Sequence, residues 1–510
     1  IGPTTYYNWM VSANTITTAV SLPLAGGLSD IFGRRWFLIV GNCFSLVGAI
    51  VSLAAQNVPM VIAGSAVTGL GSGAQQLALA AVAELVPNKH RGRVQACLDL
   101  AILPWTLLGA LIGGGMVEGG GKLGWRINFI LGVCLNVIAL IMAFFWYYPP
   151  SYANKGNQGK SKIQAIKELD VVGVFLLNAG LLLILVGIAL GGTTYPWNSA
   201  GFICLIAVGG ACLIGLGVWE YKFAKHPFVP HDMFRGKART FTLVLCITFV
   251  AGMGLYAAAA FWTQLCQNMW GAGVIKTGIY SIPSGVGGVL GGFVGGMVVG
   301  KNKYFSTNLC LVYGCIFKIA ADAGLSTLTP YTVSRGLGIS FLSMVGTGWL
   351  SVSLIVCVQL ACEDKDIGLA TLLLGAIRAV GGSVAITIYS TILNNKILKD
   401  GPLRIATAVV PKGLPLSSIE PFLMALQAQD EAALMQIPGI TPDIIQTGVM
   451  AMRESFGVGF SYIYITSAAF AGAALIAALL TKDVRSNMTD NVAVRLENEK
   501  PLPVEDAVKA

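Results

Sequence analysis

Apolar residues run in stretches of about 20 along this chain, and short polar or basic segments separate them. A run of that length matches a hydrocarbon core of ~30 Å, so each is read as one membrane-spanning helix. Thirteen such spans fall near 9–29, 36–55, 59–83, 97–117, 126–147, 170–191, 200–219, 241–265, 275–299, 305–326, 334–361, 367–393 and 456–481. The pattern predicts an all-α polytopic membrane protein with short connections and one long segment, 394–455, before the last span. That segment holds Pro402, Pro411, Pro415, Pro421, Pro438 and Pro442. Ser417 ahead of Glu420 and Thr441 ahead of Pro442 read as helix starts, and Ile419, Phe422, Leu423, Leu426 and Leu434 read as an apolar face. A short amphipathic helix on the outer rim is expected there.

Lysine and arginine fix the orientation. With the Asp30–Arg35 loop placed inside, twenty-two of the 33 basic residues lie in inner segments and nine in outer ones, leaving Lys318 and Arg378 within spans. Inner clusters are Lys89, Arg91 and Arg93; Lys155, Lys160, Lys162 and Lys167; and Lys222, Lys225, Arg235, Lys237 and Arg239. The net charge of +9 therefore reads as topology and contact with anionic membrane lipids, not nucleic-acid binding. A composition of 55% hydrophobic and 11% charged residues, with mean hydropathy +0.72, excludes a soluble globular protein. The 63 glycines suit close helix packing, and the 11 cysteines read as buried thiols rather than a disulfide framework.

The loop Gly26-Gly27-Leu28-Ser29-Asp30-Ile31-Phe32-Gly33-Arg34-Arg35 joins the first two spans. Its spacing of Gly26, Leu28, Asp30, Gly33, Arg34 and Arg35 resembles the loop signature of the major facilitator superfamily. A second basic turn, Glu84-Leu85-Val86-Pro87-Asn88-Lys89-His90-Arg91-Gly92, resembles one that recurs in the same superfamily. Pro104 with Gly109-Ala110-Leu111-Ile112-Gly113-Gly114-Gly115 resembles the glycine-rich helix of drug–proton antiporters, with Ala110 where that pattern has proline. Ser65 stands where many proton-coupled relatives carry a membrane arginine. Gly69-Leu70-Gly71-Ser72-Gly73 lies inside an apolar helix with no strand before it, so it reads as packing rather than phosphate binding.

Further marks resemble the fungal branch that contains trichothecene efflux pumps and siderophore-iron transporters. They are Trp125-Arg126-Ile127-Asn128-Phe129, Tyr147-Tyr148-Pro149-Pro150, Leu169-Asp170-Val171-Val172-Gly173, Gly191 to Trp197, Trp219-Glu220 and Arg378-Ala379-Val380-Gly381-Gly382-Ser383. The resemblance implies a major facilitator fold of two helical bundles plus two linking helices. In that family the loop signature follows the second helix, so a first helix is expected ahead of the first visible span. The implied division is a bundle at 1–148, a basic loop at 149–168, linking helices at 169–220, a basic loop at 221–240, a second bundle at 241–481 and a disordered inner tail at 482–510. The sequon Asn487-Met488-Thr489 in that tail is expected to stay unmodified.

Ionisable groups inside spans are the candidates for chemistry, because a charge at mid-bilayer is costly unless a cavity or partner receives it. Lys318 and Asp322 stand four apart on one helical face, and Arg378 sits among small residues. Each fits ion or substrate coupling, and the Lys318–Asp322 pair fits a structural salt bridge equally well. Asp99 is expected near a helix end, solvated or paired with a basic loop. Gln75, Gln76, Trp105, Trp349 and Tyr389 are candidates for lining a cavity, with interhelical hydrogen bonding or core packing as the plainer reading. Asn14, Asn178 and Gln359 read as interhelical hydrogen bonds, and Trp9, Trp197, Trp262 and Trp270 as interfacial anchors.

The function implied is a secondary active transporter working by alternating access, without metal or cofactor, on a small-molecule substrate and protons. Efflux of a fungal toxin, drug or other secondary metabolite is the favoured direction, across the plasma membrane or, as the alternative location, a vacuolar or vesicle membrane; import of ferric siderophores with protons is the alternative function. In this scheme the turn around Asp30 and Arg34 latches the inner gate. A membrane-embedded enzyme is the rival class, yet His90, His226 and His231 all lie in loops without metal-binding spacing. No Walker-type loop or channel filter motif is present.

Overall fold

The computed structural model describes residues 7–148, 170–191, 195–224, 228, 238–363, 366–428 and 431–490. The lysine cluster 155–167, Lys225, Arg235, Lys237, His226, His231 and the tail beyond 490 lie outside the described residues. So does the Asp30 side chain.

All thirteen predicted spans are helical. They are α1 (Tyr7–Phe32), α2 (Arg34–Leu53), α3 and α4 (Val58–Gln75, Leu77–Glu84), α5 and α6 (Arg91–Ala101, Leu103–Gly119) and α7 (Gly124–Trp146). Then come α8 (Val171–Leu190), α9 (Ala200–Lys222), α10 (Ala238–Asn268), α11 (Val274–Val298), α12 (Thr307–Leu325) and α13 (Val333–Ala361). Helix α14 (Ile367–Val409), two short helices, α15 (Ile419–Ala428) and α16 (Glu431–Met435), and α17 (Pro442–Leu480) complete the order. Among the described residues no strand forms beyond a single bridge between Gly191 and Tyr195.

Eleven of the thirteen spans are long and apolar enough to cross a membrane. The exceptions are α1 and the α3–α4 pair, and both are shielded by other helices. Helix α1 packs between α3, α8 and α14, and its Ser12, Thr15, Thr18 and Ser21 are buried. Two bond outward to α3, Thr18 to the Gly69 carbonyl (3.1 Å) and Ser21 to that of Leu70 (2.6 Å). Polar helices inside a bundle meet other helices rather than lipid, so hydropathy alone under-reads them.

Two spans break, one of them at a proline. Helix α3 gives way to α4 at Gln76. The turn from α5 to α6 at Ile102 comes just before Pro104, which occupies the first turn of α6, where its missing N–H costs nothing. Between α1 and α2, Gly33 takes φ 95°, a left-handed conformation that glycine adopts without strain, and its N–H closes the helix on the Ser29 carbonyl at 3.0 Å.

Helices α1–α7 precede residues 149–169 and α10–α17 follow residue 237; for brevity these are the first and second halves. They meet where α1 packs on α14 and where α5 and α6 pack on α11. At the crossing of α5 and α11, a methyl on Gly92 would stand 2.7 Å from the Gly296 carbonyl oxygen, and one on Gly296 2.6 Å from that of Gly92. The end of the bundle bearing Gly33, the 84–91 turn and Lys482 is called the basic end.

The segment 394–455 departs from a loop with a single rim helix. Helix α14 runs 43 residues and α17 runs 39, roughly 65 and 58 Å, so both continue far beyond a hydrocarbon core. Asn394, Asn395, Lys396, Lys399 and Asp400 end the apolar run without ending the helix, and even Pro402 lies within α14. The amphipathic helix is present as α15, but its face packs on these extensions: Phe422 and Leu426 join Ile405, Val409, Ile444 and Ala451 in one buried cluster.

Candidate functional site

The second half builds most of a cavity of about 350 Å³. Its walls come from α10 (Gly254 to Thr263), α11 (Ser281, Ser284, Gly285), α12 (Lys318, Leu325), α13 (Ser340, Ser343, Met344), α14 (Tyr389) and α17 (Ile463, Tyr464, Ser467). The first half adds Thr106 and Ala110 from α6. The surface is mostly aromatic and small apolar groups with a ring of hydroxyls, and Lys318 is the cation on it.

Lys318 and Asp322 lie one turn apart on α12, so their side chains share a face. The ammonium donates to both carboxylate oxygens at 2.6 Å. Ser343 of α13 donates to Asp322 Oδ1 (2.8 Å) and Ser467 of α17 to Oδ2 (2.6 Å), while Lys318 also reaches the Ser343 hydroxyl at 3.2 Å. Asp322 is fully buried and Lys318 keeps 12% exposure toward the cavity. Three helices therefore satisfy the carboxylate, and the ammonium is the part of the pair that lines the cavity. Sequence reasoning found the pair by its spacing and missed Ser343 and Ser467, because serines in apolar helices carry no distinguishing signal.

Of the cavity candidates, Tyr389 is on the wall, fully buried and edge-on to Phe261 at 6.0 Å between ring centroids. The others stand elsewhere. Gln75 donates to Asn42 (2.7 Å) and Asn136 (3.4 Å), joining α3 to α2 and α7. Gln76 sits at the α3–α4 break with its side-chain amide oxygen Oε1 facing Gly375. Trp349 is core, its indole donating to the Cys310 carbonyl at 2.9 Å, and Trp105 is half exposed beside the wall residue Thr106. Trp262 and Trp270 are not interfacial anchors: both are buried, stacked edge-on at 5.6 Å, and Trp262 lines the cavity. Asn14 does bond across to the Ser65 carbonyl (3.2 Å) and Gln359 to Thr371 (3.2 Å), whereas Asn178 bonds within its own helix.

The glycine-rich helix is closed from the other side. Gly109 has open space where a side chain would go, and Gly113 faces Asn128 of α7. Of the three candidate glycines, Gly114 alone meets α11, at Val274. The tight approach comes from glycines of α11: a methyl on Gly278 would stand 3.0 Å from the Ala110 carbonyl oxygen and one on Gly285 2.6 Å from that of Thr106.

Arg378 on α14 donates to the Ser351 carbonyl at 3.3 Å, and its Nε has no hydrogen-bond partner among the described residues. It interacts electrostatically with Asp99 of the first half and with Tyr256. Asp99 thus faces the interior rather than a basic loop. Its carboxylate packs against Gly292, whose missing side chain gives it room.

At the basic end Arg34 forms a buried ion pair with Glu84, clasping α2 to α4. Gly26 packs on Leu369 and Leu372 of α14, Leu28 is half-buried, and Arg35 donates to the Phe144 carbonyl (2.6 Å) while lying over the Tyr148 ring at 4.1 Å. Arg91, 1% exposed, donates to the Ala83 carbonyl (3.2 Å) and across the halves to that of Gln359 (3.0 Å). Burial of charged groups in a loop signature means that they fasten helices, not that they decorate a solvated turn.

Comparisons with known proteins agree with this architecture. The model of the fungal trichothecene efflux pump family matches residues 2–505. The chain is 25% identical to the trichothecene efflux pump TRI12 of Fusarium sporotrichioides, over 95% of this chain and 81% of that one. It is 27% identical to the MFS-type transporter prx5 of Penicillium rubens, over 94% and 89%. Among solved structures, the major facilitator proton:xylose symporter XylE aligns with a TM-score of 0.52 at 14% identity, over 91% of this chain and 85% of that one. The human organic anion transporter MFSD10 aligns with a TM-score of 0.51 at 12% identity, over 91% and 83%. A multi-pass helical bundle, a cavity built mainly by its second half and a family match along almost the whole length lead to one assignment: this chain belongs to the fungal trichothecene efflux pump family of the major facilitator superfamily, whose members are membrane transporters and not enzymes.

Proposed function

We propose that this protein exports a fungal toxin, drug or other secondary metabolite by alternating access, driven by protons. The Lys318–Asp322 pair at the cavity wall carries this reading. A lysine facing an aromatic, hydroxyl-rich cavity suits a substrate rich in oxygen acceptors and repels organic cations. Protonation of Asp322 would change the charge of the site by one unit and release Lys318 from its partner. Any substrate that touches Lys318 then binds differently in the two protonation states. Linkage makes the effect mutual: substrate alters the proton affinity of the site as protons alter substrate affinity.

In this scheme the basic end faces the cytoplasm, the two halves rock about the cavity, and Arg378 with Asp99 senses their separation. The Asp30 turn acts as the inner latch together with Arg34 and Glu84, and the plasma membrane is the site of action. The test is cellular accumulation of a labelled trichothecene and a labelled ferric siderophore, each with and without a proton gradient. Gradient-dependent loss of toxin supports the proposal. Gradient-dependent gain of iron chelate replaces it with siderophore import.

A further inference from the structure

The residues just after α17 cross the basic end as an ordered strap. Val484 is buried against Val299, Trp349, Val352 and Leu360, and its N–H donates to Thr307 Oγ1 at 2.9 Å. Asp483 accepts from the Thr307 hydroxyl (2.8 Å) and from Arg485 Nε (2.7 Å), and Asn487 donates to the Leu360 carbonyl (2.6 Å). Apart from the Asp483–Arg485 bond, which lies within the strap, these contacts hold it to the second half, where Met488 packs as well. Asn487, Thr489 and Asp490 also reach the first half. Lys89 N–H donates to the Thr489 carbonyl (3.2 Å), and Asn88 Nδ2 donates to the Asn487 carbonyl (3.4 Å) and the Thr489 hydroxyl (3.3 Å). Lys89 also pairs with Asp490. The sequence reading of a disordered tail thus fails for 482–490, where one apolar anchor and a run of paired polar groups offset the entropy of ordering.

We propose that Lys482–Asp490 is a latch for the basic end: fixed to the second half, it grips the Asn88–Lys89 turn when that end is closed and must release it each time the halves part. The anchor and the grip differ in kind. The anchor is a buried apolar side chain with polar bonds around it, whereas the grip is three polar bonds at its partly buried edge and one exposed ion pair, each worth little alone. Such a division suits a contact cycled at every turnover. The inference rests on the alternating-access reading above.

The experiment joins Asn88→Cys to Thr489→Cys in the full chain with a short bifunctional thiol reagent, in proteoliposomes supplied with a labelled trichothecene. Wild type treated alike controls for the native cysteines. Cross-linking is expected to cut transport roughly tenfold or more, with recovery on cleavage of the linker. Undiminished transport by the cross-linked protein overturns the latch while leaving the transport function standing. Spin labels at the same two positions need no transported substrate. Two distance populations are expected, and a single short distance at every pH, with and without toxin, overturns the latch even if the protein moves no trichothecene.

Discussion

Two buried ion pairs, one in each half, show how position decides the use of the same chemistry. Arg34–Glu84 closes α2 onto α4 at the basic end, with both side chains about 5% exposed and away from the cavity. Lys318–Asp322 lies within a span, its carboxylate held by serines from two further helices and its ammonium on the cavity wall. The first fastens helices at the basic end and stays clear of the cavity. The second fastens and also lines the cavity, so under the proposed mechanism a change in its charge would reach the substrate. A buried pair is weak ground for stability by itself, since desolvation offsets most of the attraction, but removing one partner is expensive in either place.

That contrast can be broken one pair at a time. Asp322→Ala strands a buried ammonium and should cost about 3–5 kcal/mol, read as thermal unfolding in detergent, with transport abolished. Arg34→Ala should cost a similar amount by stranding Glu84, but Arg34→Met with Glu84→Leu should recover most of the stability and leave toxin affinity unchanged. Failure of that recovery would mean that the pair at the basic end does more than fasten. Gly285→Val forces a side chain against the Thr106 carbonyl and should cost about 1–3 kcal/mol, with a matching loss of transport, by separating α11 from α6.

The smallest effect belongs to Asp483. Burial works against its ionisation, but hydrogen bonds from Arg485 and Thr307 outweigh burial and hold the carboxyl below its ordinary value. A depressed carboxyl contributes where it is ionised. Its share of strap docking is therefore complete above an unfolded value of about 3.9 and is lost as pH falls through the lower folded value. Asp483→Asn should remove that share at neutral pH, by no more than about 1 kcal/mol because the site is solvent-screened, and strap mobility by spin label would register it.

Much of this was legible in the chain. Apolar runs marked eleven spans strongly, because lipid tolerates little else, and α1 and α3–α4 more weakly, because other helices shield them; lysine at four residues' spacing from aspartate marked the pair on α12. Several marks of the fungal branch prove to be helix fasteners. Asp170 caps α8 through Gly173 (2.8 Å) and takes the Trp219 indole of α9 (2.8 Å), and Arg126 reaches back to the Ala55 carbonyl (2.9 Å). What stayed hidden was partnership across distance. Nothing near Arg34 points to Glu84 fifty residues on, and nothing near Asn88 points to Thr489. Glycine misled in one respect: the α6 glycines drew notice, yet Gly278 and Gly285 on α11 permit the close approach, because a contact needs a bare surface on only one side.

The most direct test of the account is toxin transport by Asp322→Asn in proteoliposomes under an imposed proton gradient, beside the exchange of labelled for unlabelled trichothecene without one. The substitution keeps the shape of the side chain and removes its charge. The account predicts that gradient-driven accumulation falls by about tenfold or more while exchange continues, since the cavity remains and the proposed proton carrier does not. Native accumulation by the variant would contradict it and remove the Lys318–Asp322 pair from the coupling mechanism.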